Sequence, residues 1–142
     1  MQAGLPSEGS LAGEVRAGSV CRADVPTCRL GDPLEDVRER AGAAGWDVTV
    51  VTTEGGVVLG LLRPGDLAGA RGRAEDAMLE APSTFRANVP IVELAGHMVE
   101  HDFELAPITR PEGTLIGLLR KDDAVAAALK VHQAEHDPDD DA

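Results

Sequence analysis

The sequence predicts an α/β (α+β) fold built from two tandem β-α-β-β-α units, and three observations carry that prediction. Sliding the chain by 57 positions aligns residues 27–67 with 84–124 without a gap, and 10 of these 41 pairs are identical. Composition alone gives roughly three. In each copy a helix-period apolar pattern is followed by two β-rich runs around a glycine-bearing turn. Hydrophobic residues make up 43% of the chain but aromatics only 2%, so the core must be built from Val, Leu, Ala and Ile.

Each copy opens on a short extended piece, residues 27–29 and 84–86. A helix follows. In the first copy Asp32 is placed to cap it, Pro33 fits its first turn, Leu34, Val37 and Ala41 repeat at i, i+3 and i+7, and Gly45 ends it. Residues 48–52 and 57–62 then read as strands joined by Thr53-Glu54-Gly55-Gly56. In the second copy residues 105–109 and 115–119 flank Arg110-Pro111-Glu112-Gly113. The last helix of each copy is short after Asp66 and long in the second copy, where Asp122 or Asp123 leads into residues 124–131. The strand and helix patterns put Val50, Val51, Leu59, Leu61, Leu94, Ile108, Ile116 and Leu118 in the core.

These boundaries divide the chain into an N-terminal segment (1–15), a first motif (16–72), a second motif (73–132) and an acidic tail (133–142) that reads as disordered. Residues 71–77 link the copies, with a helical turn expected over 75–79. The formal net charge of −12 argues against a nucleic-acid partner. No run approaches the roughly 18 apolar residues of a membrane span, and residues 1–20 lack the apolar block of a secretory signal. A cytoplasmic location is the resulting expectation. Cys21 and Cys28 lack C-x-x-C spacing and read as small buried hydrophobes.

Three strings carry a resemblance to a known family: EDAMLEAPSTF (75–85), HDFELAPITRPEGTLIGLLRKDDA (101–124) and their first-copy counterpart GWDVTVVTTEGGVVLGLLRPGDL (45–67). Over residues 16–131 the chain resembles tandem cystathionine β-synthase (CBS) domains, the paired arrangement called a Bateman module. The resemblance implies two copies packed about a pseudo-two-fold axis, leaving two clefts that in many members bind AMP, ATP or S-adenosylmethionine. It also implies a regulatory module, not an enzyme, requiring no cofactor, forming a homodimer and acting through a separate effector protein. A ligand-free scaffold for dimerisation or partner binding is the alternative.

The cleft residues follow from that resemblance and from their chemistry. A carboxylate leading a helix can accept both ribose hydroxyls while first-turn amides attract phosphate, the roles assigned to Asp66 and Asp123. Thr27 and Thr84 match the position beside the base, and Gly60 and Gly117 permit close backbone approach. Where the family usually has Ser or Thr, this chain has Arg63 and Arg120, which could bind phosphate, form a surface ion pair or close the cleft. Pro107 keeps a family proline that Val50 replaces in the first copy, so the second copy is the better candidate site. His97 to His101 fits the H-x-x-E-H metal-hydrolase pattern, but no third ligand is placed by any motif, and the segment reads as a solvated helix face. Trp46 and Phe103 align with each other and read as packing residues.

Overall fold

The computed structural model of the chain describes residues 15–69 and 71–141, with side chains described as far as residue 134. Each copy is preceded by a single helical turn, α1 at Ala17–Val20 and α4 at Ala74–Ala77. The first copy continues with β1 Thr27–Cys28, α2 Leu34–Ala43, β2 Thr49–Thr52, β3 Val58–Leu62 and α3 Pro64–Ala68. The second continues with β4 Leu79–Glu80, β5 Phe85–Arg86, α5 Ile91–His101, β6 Leu105–Thr109, β7 Leu115–Arg120 and α6 Lys121–Asp141.

The strands form two small mixed sheets, one for each copy. In the first, β1 runs parallel to β2, which pairs antiparallel with β3. In the second, β5 runs parallel to β6, which pairs antiparallel with β7. The two hairpin tips bond to each other: Val58 N–H donates to Gly113 O at 3.1 Å and Leu115 N–H to Gly56 O at 2.9 Å. Gly56 and Gly113, with φ of 93° and 96°, hold a backbone conformation that side chains disfavour.

The free edge of each sheet is closed by a segment that leads into the other copy. Leu79 of β4, which precedes the second copy, pairs with Leu61 of β3. Arg22, which precedes the first copy, exchanges both main-chain hydrogen bonds with Leu118 of β7. The helical turns follow the same exchange. Ala74 is fully buried in the core of the first copy and Ala17 in the core of the second. Bridges from Arg16 to Pro90 and from Arg73 to Pro33 complete the pattern. Each core therefore needs residues from both ends of the repeat.

Gly60 and Gly117 are explained by this exchange. A Cβ on Gly117 would stand 2.7 Å from the Arg22 carbonyl oxygen and 2.8 Å from Cys21 Sγ; one on Gly60 would strike Met78. The close backbone approach expected at these glycines is thus made by the chain's own lead-in segments.

Several local expectations change. Asp32 does not cap α2. Its carboxylate accepts from Arg29 N–H at 3.0 Å and from Arg40 Nη2 at 3.2 Å, while Pro33 is the cap residue and Leu34 N–H finds the linker carbonyl of Gly72 at 3.0 Å. Gly45 ends the helix as expected: Trp46 N–H returns to Ala41 O at 2.8 Å, and Asp102 takes the matching left-handed position after α5, with φ of 57°. Val50, Val51, Leu61, Leu94, Ile108 and Leu118 are buried, but Leu59 and Ile116 are only half-buried, since they sit toward the hairpin ends where the sheets reach the surface. The acidic segment 133–141 continues α6 as helix, contrary to the disorder read from its charge. No glycine interrupts the helix-forming run that feeds it. Residues 1–14 and 142 lie outside the described residues.

Both cysteines are free thiols. Cys28 is buried, and removal from water pushes its thiol up to about 11. No helix among the described residues is long and apolar enough to cross a membrane.

Candidate functional site

Asp66 and Asp123 occupy the same place in the two copies, the third residue of the helix that follows the last sheet strand. That position lies inside the first turn, one step further in than a residue merely leading the helix. Their electrostatic surroundings differ. The Asp66 carboxylate accepts from Arg63 N–H at 2.9 Å, Arg63 Nε at 2.8 Å and Arg63 Nη2 at 3.3 Å. Partial burial works to raise its pKa, but the Arg63 side-chain and backbone bonds outweigh that and hold it below the ordinary Asp value. In the first copy, then, arginine and aspartate satisfy each other.

The second copy breaks that pairing. Arg120 is the last residue of β7, paired opposite Leu105, and its guanidinium turns to the first copy. Its Cζ lies 4.8 Å from the Trp46 ring centroid, and Nη2 lies 3.6 Å from Asp47 Oδ1. Arg22 approaches the same indole at 5.4 Å and bonds Asp24 at 3.1 Å. Asp123 is left half-buried, with no hydrogen-bond or ion-pair partner among the described residues. Lys121 beside it is committed elsewhere, to Glu104 at 2.7 Å and Asp102 at 3.2 Å. The contribution of Trp46, Asp47 and Arg22 is invisible to sequence reading because only the packing of one copy on the other brings Trp46 and Asp47 to Arg120 and Arg22 to the same indole.

The remaining candidates flank the sheets. Thr27 is exposed and pairs with Val50. Thr84 is exposed and directly precedes β5, whose Phe85 pairs with Ile108, so Thr84 is level with Pro107. Pro107 is buried opposite Leu118, and Val50 is buried opposite Leu61. The structure thus joins Arg63 to Asp66 and sets Thr84 beside Pro107, while Arg120 is held away from Asp123 by Trp46 and Asp47.

His97 is packed, not solvated as the H-x-x-E-H segment was expected to be. Its ring stands 5.4 Å from Phe85, 5.6 Å from Phe103 and 4.4 Å from His101. Among the described residues no group of three or more His, Cys, Asp or Glu is arranged to hold a metal ion.

Residues 74–130 match the family model for the CBS domain. The whole described fold is that of paired CBS domains in solved structures. The second copy matches the CBS domain, and the fold of both copies together is that of a CBS pair. The chain is 26% identical, with a TM-score of 0.71, to the cytosolic domain of the Mg2+ channel MgtE in complex with ATP, over 80% of this chain and 49% of that one. The chain thus spans about half the length of that domain. It is 19% identical to CBSX2 of Arabidopsis thaliana in complex with AMP, with a TM-score of 0.73, over 83% of this chain and 98% of that one. The CBS domain pair of protein MJ0100, in complex with 5′-methylthioadenosine and S-adenosyl-L-methionine, shares 14% identity and a TM-score of 0.71, over 80% of this chain and 94% of that one. No curated protein matches the chain by sequence.

Proposed function

We propose that this CBS pair is a non-catalytic regulatory module that binds an adenosine-containing ligand of the AMP, ATP or S-adenosylmethionine class at the second copy. The observation that carries the reading is the contrast between Asp123, half-buried and unpartnered, and Asp66, already satisfied by Arg63. A free carboxylate in the first turn of a helix can take two ribose hydroxyls together. Arg120, three residues earlier, is held only by an indole face and a 3.6 Å ion pair, so a phosphate can draw it away from Asp47. Thr84 and Pro107, level with each other on the sheet, stand on the side assigned to the base. The ATP, AMP and S-adenosylmethionine complexes of structurally similar CBS pairs support the ligand class. On this reading the module works in the cytoplasm and passes its output to a separate effector protein.

Calorimetry with AMP, ATP and S-adenosylmethionine tests the reading. Asp123→Ala should weaken binding by about 2 kcal/mol, the scale of lost charge-assisted hydrogen bonds, whereas Asp66→Ala should leave it nearly unchanged. The opposite ranking, or no binding at millimolar ligand, would overturn it.

The second reading, a ligand-free dimerising scaffold, draws on a different surface. Val92 and Val99, seven residues apart on α5, are 49% and 58% exposed, and Leu129 on α6 is 56% exposed. Side chains at that spacing share one helix face, a face suited to self-association as a homodimer. A sedimentation mass of one chain at high micromolar concentration would exclude it.

A further inference from the structure

On the hairpin side of the second sheet lies a surface cavity of about 340 Å³ that takes no part in the proposed nucleotide site. Arg86, Asn88, Thr109, Arg110, Pro111 and Ile116 line it. Neither the Arg86 nor the Arg110 side chain has a hydrogen bond or ion pair among the described residues. Arg16 adds a third guanidinium, with Nη1 donating to the Asn88 carbonyl at 2.5 Å. One carboxylate is near. Glu112 is bonded by the Thr114 hydroxyl at 3.0 Å, and its pKa is lowered first by its own backbone N–H, then by Thr114 and more weakly by the fields of Arg110 and Arg86. Two arginines therefore line the cavity and a third is bonded to the main chain of Asn88 in its wall, in a chain of net charge −12.

The first copy shows what this place looks like when its charge is balanced. The counterpart of Arg86, Arg29, bonds the Thr52 hydroxyl at 3.3 Å, and its main-chain N–H is taken by Asp32. At the positions matching Asn88, Val89, Arg110 and Pro111 the first copy has Gly31, Asp32, Thr53 and Glu54. The second copy has thus lost two carboxylates, gained one in Glu112, which stands where the first copy has Gly55, and gained one arginine and one amide, around a cavity large enough for a small ligand.

We propose that this cavity binds a phosphate monoester with a small apolar body. Arg86 and Arg110 grip the dianionic head, since guanidinium forks match oxyanions and two of them call for two negative charges. Asn88 and Thr109 are placed to supply further polar contacts, and Pro111 and Ile116 form the apolar wall.

The test is an NMR titration of the intact protein at low ionic strength with inorganic phosphate, phenyl phosphate and acetate. Phosphate at millimolar concentration should shift the amides of residues 86–88 and 109–111 saturably. Phenyl phosphate should bind more tightly and acetate much more weakly. Arg110→Thr, which installs the first-copy residue and so keeps the fold, should weaken phosphate binding by about tenfold without changing the AMP affinity. Asp123→Ala should leave phosphate binding intact, which separates this site from the nucleotide site. The proposal is overturned by shifts confined to Arg120 and Asp123, by an unchanged affinity in Arg110→Thr, by acetate binding as tightly as phosphate, or by no saturable shift at all.

Discussion

The Arg22 and Leu118 main chains exchange both of their hydrogen bonds, at 2.8 and 3.0 Å, so the chain's first described segment serves as an edge strand for nearly its last one. Gly117, next to Leu118, makes this possible by leaving room for the Arg22 carbonyl.

Gly117→Ala should therefore lower stability by about 2 kcal/mol, the range of overpacking in a closed core, because the obstructing atom is backbone. Gly60→Ala should be milder, since its Cβ meets chiefly the flexible end of Met78. Urea unfolding of both variants checks the order; equal losses would show that the two edges are equally compliant.

Separated halves, residues 1–70 and 71–142, should each fail to fold alone and should recover structure when mixed, because Ala17 and Ala74 are buried in the opposite core. Circular dichroism of the fragments, singly and together, reads this. A cooperative melt from either half alone would contradict the exchange.

Protonation should unlock the Arg63 pair. The Asp66 pKa is depressed in the folded state, so its contribution is present above the ordinary Asp value of 3.8 and is lost as the pH falls through and below it. Asp66→Asn should flatten that part of the stability profile, whereas Asp123→Asn, at a position with no such partner, should leave it in place. Denaturation curves between neutral and strongly acidic pH supply the comparison.

Asp102→Gly should stabilise the protein by about 0.5–1 kcal/mol by relieving a left-handed conformation that glycine adopts freely. The ion pair it removes is small, because Asp102 is largely exposed and Lys121 keeps its shorter bond to Glu104. A lower thermal midpoint would show that the Asp102 carboxylate matters more than its backbone.

The repeat, the helix end at Gly45 and both hairpins were legible in the sequence because each is local: apolar spacing, turn glycines and β-rich runs act within a few residues. The exchange of lead-in segments was not. Arg16-Ala17 and Arg73-Ala74 already match at the same spacing of 57, yet four-residue helices carry too little periodicity to stand out, and which core receives them is a tertiary outcome. The aspartates of the candidate site could be read from their place after a strand, but their inequality could not. Arg63 turns inward to Asp66 while Arg120 is drawn off by Trp46 and Asp47, two residues of the other copy.

Swapped lead-in segments also say something about ancestry. A single repeat of this design, cut free before duplication, would carry a lead-in turn with no slot of its own and a sheet edge waiting for a stranger's strand. Two such chains satisfy each other reciprocally, each lending its Ala17-like turn to its twin, in a closed isologous pair. Gene duplication and fusion would then have turned a bimolecular partnership into a unimolecular one, abolishing its dependence on concentration. It would also have freed the two halves to diverge, one arginine staying home and the other leaving.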